Sequence, residues 1–321
     1  MVIGSEAGPV PQQCAGAVLM VRPAAFGFNP ETAASNRLQQ RATGLQASQQ
    51  SAALREFDAL AQSLRSEGIE VCIAADAADP PKPDAVFPNN WVSFHADGTV
   101  VLYPLLAANR RIERREAVIE QVTKDLGFTV RRRVDLTHFE SEGRFLEGTG
   151  SLVLDHVHRT AYACRSARTD DEVVKAWCDE MGYEPVIFSA LDRSGTPYYH
   201  TNVVMWIGSR AAMVGGGAID TDDRTRVIAH LTASGREVIE IGQGEIAGFA
   251  GNMLELATWD EALGDASVLV MSARAREALP AAIYARLSAC TDVVLAAPVA
   301  TIEAIGGGGV RCMLAEVFLR A

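Results

Sequence analysis

The chain has 321 residues and a mass of 34.3 kDa, with 48% hydrophobic and 21% charged residues. That composition buries a substantial core and excludes a disordered or low-complexity protein. With 29 basic against 40 acidic residues the formal net charge is −11, which excludes a nucleic-acid backbone as the principal partner.

The opening MVIGSEAGPVPQQC has no basic stretch followed by an apolar one, and residues 1–16 read as a flexible tail. AVLMVRP then reads as a strand, followed by an Asn- and Gln-rich insertion from Asn29 to Ser51, a helix around Ala52 to Glu67, and the strand IEVCIAA. WVSFH, the turn ADG and TVVLYPL form a hairpin, with a helix over Arg110 to Leu126 and the strand FTVRRRV after it. The same grammar returns in SLVLD, HVH, RTAYACR, the helix of TDDEVVKAWCDEMG and EPVIFSA. It returns in NVVMWIG, AAMVGG, the helix of DTDDRTRVIAHLTASG and REVIEIG, and again in NMLELA, ASVLVMSA, a helix over Ala275 to Cys290 and DVVLAA. Five units of roughly 50 to 65 residues use nearly the whole chain, with no linker between halves, so a single domain over 1–321 is expected. No unit covers both faces of its own small sheet, so the five are expected to pack around an axis as an α/β propeller of ββαβ repeats, closed by CMLAEVFL. The competing architecture, a doubly wound parallel sheet, is disfavoured by a hairpin in every unit.

Packing around an axis gathers loops at one end, and four segments there carry polar residues: PDAVFPNNWVSF, RFLEGTGSLVLD, YYHTNVVMW and GGGGVRCMLAE. Cys312 follows the run Gly306 to Gly309, where backbone can approach a ligand closely, and is the candidate nucleophile; the alternative is a buried structural cysteine. The other cysteines (Cys14, Cys72, Cys164, Cys178 and Cys290) form no CxxC pair and read as structural free thiols in a reducing cytoplasm. His200 is the histidine best placed for acid–base work, against the alternative of a structural histidine. Glu147 precedes two glycines and could orient an imidazole, although loop glutamates are mostly solvated. Asn89 and Asn90 interrupt an apolar run and read either as a turn or as amides needing buried partners. His156 and His158 fall in a turn, so no zinc site is expected, and no apolar run approaches the roughly 18 residues of a membrane span. The glycine runs fail as nucleotide motifs: Asp220 and Arg311 stand where GxGxxG needs its last glycine, and neither run continues into GK[ST]. Ser151 lacks the second glycine of a nucleophile elbow.

Taken together, VLMVRPAAFGFNPETAASN, PNNW, LEGTGSLVLD, HTNVVM, GNMLEL and GGGGVRCMLAEVFL resemble the guanidine-modifying superfamily, the pentein fold of arginine deiminases, dimethylarginine dimethylaminohydrolases and amidinotransferases. The citrulline-utilisation hydrolase branch is the closer resemblance, and it covers nearly the full chain from Ala17 onward. The resemblance implies a five-bladed α/β propeller, with Cys312 as nucleophile, His200 as general acid–base and Glu147 as its carboxylate partner. It further implies that Arg168, in CRSARTD, meets the substrate's carboxylate; Arg110 and Arg111 could help there, but read better as an exposed face. Deiminases carry aspartates where this chain has Asn90 and Asn202. Neutral amides suit an uncharged ureido head better than a guanidinium, so the expected reaction converts citrulline to ornithine, ammonia and carbon dioxide through a covalent Cys312 adduct, without metal or organic cofactor. The expected partner is a small ureido or guanidino amino acid, with homo-oligomerisation left open. The alternatives are an amidinotransferase or deiminase-like hydrolase on a guanidino substrate, and a catalytically silent binding pentein.

Overall fold

The computed structural model describes residues 12–41, 44–261 and 264–319. Of the expected tail, residues 1–11 lie outside this description. Gln13, Cys14 and Ala15 are buried, and the Gln13 side-chain amide donates to the carbonyls of Leu154 and Ile207.

Alternating apolar strands pair as the repeats require. Leu152–Asp155 and Thr160–Cys164 run antiparallel and Glu184–Phe188 adds in parallel to the second. Met205–Ile207, Ala211–Val214 and Glu237–Glu240 repeat this pattern, as do Leu254–Asp260, Gly264–Ser272 and Val293–Ala297. The remaining two triples merge into one six-stranded sheet. Val92–Phe94, Thr99–Leu102 and Arg132–Asp135 form one half, and Glu70–Ala75 with Ala17–Arg22 the other, with Ala315–Val317 between them. This last strand pairs antiparallel to the first (Val18 opposite Glu316) and touches the next triple through Val317 and Phe94. The strand expected from CMLAEVFL is therefore shorter and carries the join between the chain's two ends. The pattern is a mixed α/β fold with four sheets.

Helices follow each hairpin and cover the outer faces. Asp170 begins one of them by accepting hydrogen bonds from the backbone N–H groups of Glu172 and Val173, and Gly182 in the left-handed region ends it. Its buried residues Val173, Val174, Trp177, Cys178 and Met181 recur at helical spacing, so one stripe faces the sheet. The helix expected over Ala275 to Cys290 is two, Ala273–Ala278 and Ala281–Ala289, because Pro280 removes a backbone donor. Arg110 to Leu126 likewise divides into a 3₁₀ stretch Ala108–Glu113 and the helix Glu116–Leu126. Among the described residues no helix is long and apolar enough to cross a membrane.

A short helical turn precedes the first strand of three triples, at Pro88–Asn90, Gly148–Ser151 and Thr201–Val204, and another, Val310–Met313, precedes Ala315–Val317. The last three of these turns take the first residues of the strands expected from SLVLD, NVVMWIG and CMLAEVFL, and the four turns pack on one another.

Trp177 joins two units: its indole N–H donates to the Tyr103 hydroxyl at 2.9 Å, and that hydroxyl lies 2.7 Å from Ser93 Oγ. Replacing this fully buried side chain leaves a cavity and strands a polar network. Trp177→Ala is therefore expected to cost about 3–5 kcal/mol, read as a lower urea midpoint with the slope unchanged.

Candidate active site

The four helical turns deliver the site. Glu147 caps Gly148–Ser151, where Gly148 is in the left-handed region at φ +49°, and a Cβ there would lie 2.1 Å from the Asn89 carbonyl oxygen. Only glycine allows that contact between turns. The Ser151 hydroxyl accepts from the Glu147 backbone N–H and donates to the Arg168 carbonyl, tying the turn to the segment bearing Arg168. His200 directly precedes Thr201–Val204, Asn90 ends Pro88–Asn90, and Cys312 lies within Val310–Met313.

Cys312, His200, Asn90 and Arg168 line one cavity with Asp84, Arg110, Thr32, Asn36 and Tyr199. Glu147 stands behind it, completely buried, with Oε2 2.8 Å from His200 Nε2 and 3.2 Å from Arg168 Nη1; its Oε1 accepts from the Leu106 backbone N–H. Burial alone would raise its pKa, but Arg168, His200 and Arg110 outweigh that and hold the carboxyl below its usual range. A carboxylate acceptor places the imidazole proton on Nε2, which leaves His200 Nδ1 as an acceptor, buried and without a partner. Burial, with Arg168 and Arg110 nearby, depresses His200 to about 4 despite Glu147. Burial also raises the Cys312 thiol above its ordinary value, against the hydrogen bond from Asn252. At neutral pH the resting pair is an uncharged thiol and an uncharged imidazole.

Asn202 lies beside the sulfur, its Nδ2 3.7 Å from Cys312 Sγ and 3.1 Å from the Thr149 carbonyl oxygen. Arg168 donates from Nε to Ser35 and from Nη2 to the Thr32 carbonyl, so it is locked against the insertion that begins at Asn29. All six residues singled out in the sequence thus meet around the cavity.

Sequence reasoning missed two others. Arg110 is buried, not exposed: it forms a bidentate pair with Glu113, donates to Asn90 Oδ1 at 2.7 Å and lies 4.0 Å from Glu147. Its place within a run of charged residues, ANRRIER, resembled a solvated face. Asp84 is buried in the cavity wall, with Oδ2 accepting from Asn29 and Thr32 and Oδ1 unpartnered. An aspartate two residues ahead of the apolar pair Val86 and Phe87 was the available signal. Among the described residues no group of three or more His, Cys, Asp or Glu side chains forms a metal site.

The repeat and the cavity that gathers a cysteine and a histidine, with a buried glutamate behind them, accord with a pentein hydrolase of the guanidine-modifying superfamily. The chain belongs to the N,N-dimethylarginine dimethylhydrolase family, whose eukaryotic model matches residues 22–319. Among curated proteins none matches the chain in sequence. Solved structures agree on the fold. The substrate-bound mutant N-terminal domain of ArgZ, an arginine dihydrolase of the cyanobacterial ornithine–ammonia cycle, has a TM-score of 0.71 at 18% identity, covering 95% of this chain and 98% of that one. Unliganded AgrE gives 0.69 at 18% identity, covering 95% of this chain and 40% of AgrE. A mutant of the dimethylarginine enzyme of Pseudomonas aeruginosa complexed with citrulline gives 0.62 at 18% identity, over 94% and 99%. The chain also spans 40% of the length of full ArgZ.

A titration follows from the His200 environment. An unfolded imidazole takes its proton near its ordinary 6.5 and the folded one near 4, so the unfolded state binds more protons between those values and His200 withdraws stability as pH falls through that window. His200→Gln lacks this dependence. The stability gap between wild type and variant is expected to narrow from pH 6.5 to pH 4 in urea unfolding; a constant gap would show that His200 is protonated in the fold.

Proposed function

We propose that the protein is a cysteine-dependent hydrolase that removes nitrogen from the guanidino head of an arginine-like amino acid and then hydrolyses the ureido product, citrulline, in the same pocket. The observation that carries this reading is the mixed polarity at the cavity: the buried Asp84, whose Oδ1 has no partner among the described residues, and the amide of Asn90 in its lining, with the amide of Asn202 against the Cys312 sulfur. A carboxylate suits the guanidinium that enters, and amides offer both donors and acceptors to the neutral ureido group that follows. The expectation of citrulline alone rested on the amides and overlooked Asp84. ArgZ as an arginine dihydrolase supports the guanidino half of the reading, and the dimethylarginine enzyme complexed with citrulline supports a pocket of this fold that holds the ureido compound. In the same reading the five strand triples are the blades of a five-bladed propeller, two of them fused through Ala315–Val317.

The resting thiol and imidazole are both neutral, so a cationic head beside Sγ favours the thiolate. His200 Nδ1 takes the Cys312 proton as Sγ attacks the guanidino carbon, and returns it to the departing nitrogen, which leaves as ammonia. Water enters, loses a proton to His200 Nδ1 and attacks the adduct; the C–S bond breaks and the proton returns to the sulfur, giving citrulline. The same moves at the ureido carbon release a second ammonia and leave the carbamic acid of ornithine, whose C–N bond then breaks as its proton passes to the nitrogen, giving ornithine and carbon dioxide. Glu147 holds the imidazolium formed in each half. Arg168 uses three of its five N–H donors on Ser35, Glu147 and Thr32 and keeps the others for the substrate's α-carboxylate. The cavity is about 10 Å³, room for about one water, so admission requires the cover from Asn29 to Gln39 to shift. A cavity of about 440 Å³ on the other side of Tyr199 is lined by Ser35 of that cover.

Separate incubations with arginine and citrulline, with ornithine and ammonia measured in parallel, are expected to give two ammonia per ornithine from arginine and one from citrulline. Transfer to an added amine without ammonia, or no turnover of either compound, would overturn the reading. Cys312→Ser is expected to lower turnover by more than about a thousandfold. Asp84→Asn is expected to lower kcat/KM for arginine about tenfold to a hundredfold while affecting citrulline far less; equal losses on both would show that Asp84 does not read the charge.

A further inference from the structure

We propose that Asn252 is a catalytic residue, the hydrogen-bond donor that stabilises the thiolate of Cys312; this rests on the reading of Cys312 as the nucleophile. Asn252 is buried and comes from the turn ahead of Leu254–Asp260. Its Nδ2 lies 3.4 Å from Cys312 Sγ and 3.0 Å from the Asn202 carbonyl oxygen. Its Oδ1 accepts from the Arg311 backbone N–H at 3.1 Å. That last bond settles the orientation of the amide: the oxygen must face a donor, so the nitrogen faces the sulfur. A donor-only contact favours the anionic form of sulfur over the neutral one, and a hydrogen bond to a charged group is worth more than one between neutral groups. Asn202, by contrast, spends its Nδ2 on Thr149 and stands farther away.

The backbone that aims Asn252 is itself unusual. Phe249, a fully buried non-glycine residue, is held at φ +63°, and its carbonyl accepts the Asn252 N–H at 2.8 Å. A bulky side chain in the left-handed region is unfavourable and persists only where the surroundings enforce it. Here the enforced turn leads directly to the amide on the sulfur. The next link, Arg311 N–H to Asn252 Oδ1, joins the turn to the residue before Cys312, so the amide and the sulfur move as one unit.

The test is the pH profile of Cys312 alkylation by iodoacetamide, with the site read by peptide mass mapping, in wild type, Asn252→Ala and Asn252→Asp. The midpoint of each profile is compared, which separates thiol ionisation from access to the cavity. Asn252→Ala is expected to move the midpoint up by about one pH unit, an about tenfold slower reaction at neutral pH. Asn252→Asp retains the size and the acceptor for Arg311 but sets an oxygen against the sulfur, and is expected to move the midpoint further up. Profiles that superimpose on wild type, in Asn252→Asp even if Asn252→Ala does not fold, would overturn the proposal. Alkylation needs no turnover, so this failure is distinct from that of the nucleophile reading, which would show as activity retained by Cys312→Ser.

Discussion

The site depends on one buried negative charge. A carboxylate taken out of water is costly unless positive and hydrogen-bonding partners surround it, and Glu147 has lost all contact with solvent. Its compensation comes from Arg168, His200, Arg110 and the Leu106 N–H. These partners lie on three separate stretches of chain, so satisfying one carboxylate brings together segments that line the cavity. The same requirement selects the His200 tautomer and leaves Nδ1 as a buried acceptor with no partner among the described residues.

The fold supplies the frame on which that balance is struck. Each triple begins its first strand at the same end of the molecule, and the short turns there meet because the strands behind them are packed, not because their own residues favour a helix. GTGS and PNN are poor helix formers; four-residue turns of such composition persist only through tertiary contact. The final strand, Ala315–Val317, inserted between the first and second triples, brings Cys312 from the end of the sequence to the same place. Cys312 is therefore anchored by the core of the six-stranded sheet, while its immediate polar contacts come from the segments ahead of Met205–Ile207 and Leu254–Asp260 through Asn202 and Asn252.

The segment after Asn29 closes the arrangement. Asn29 and Thr32 bind Asp84, Ser35 and Thr32 hold Arg168, and Asn36 Nδ2 donates to the Gly307 carbonyl. A cover built from the same polar groups that line the cavity excludes water, which strengthens every charge interaction inside it. Two charged networks, Asp84 with Arg110 and Glu147 with Arg168, thus share a wall with the segment that seals them.

Much of this was legible before the coordinates. The repeated hairpin–helix–strand grammar specified which stretches pair, because period-two alternation and helical stripes are local properties of sequence. Cys312, His200 and Glu147 stood out as polar residues at the edges of apolar runs. Arg110, Asp84 and Asn252 did not: the first two sit in runs whose composition equally describes a solvated loop, Asn252 reads as the start of the strand NMLELA, and burial is a property of what packs above a residue rather than of its neighbours in sequence. The local pattern alone determined the repeats and the chemistry-bearing side chains. Only the packing of distant turns decided which of those side chains share a desolvated cavity, since charge balance and hydrogen-bond reach operate over a few ångströms of space and not over distance along the chain.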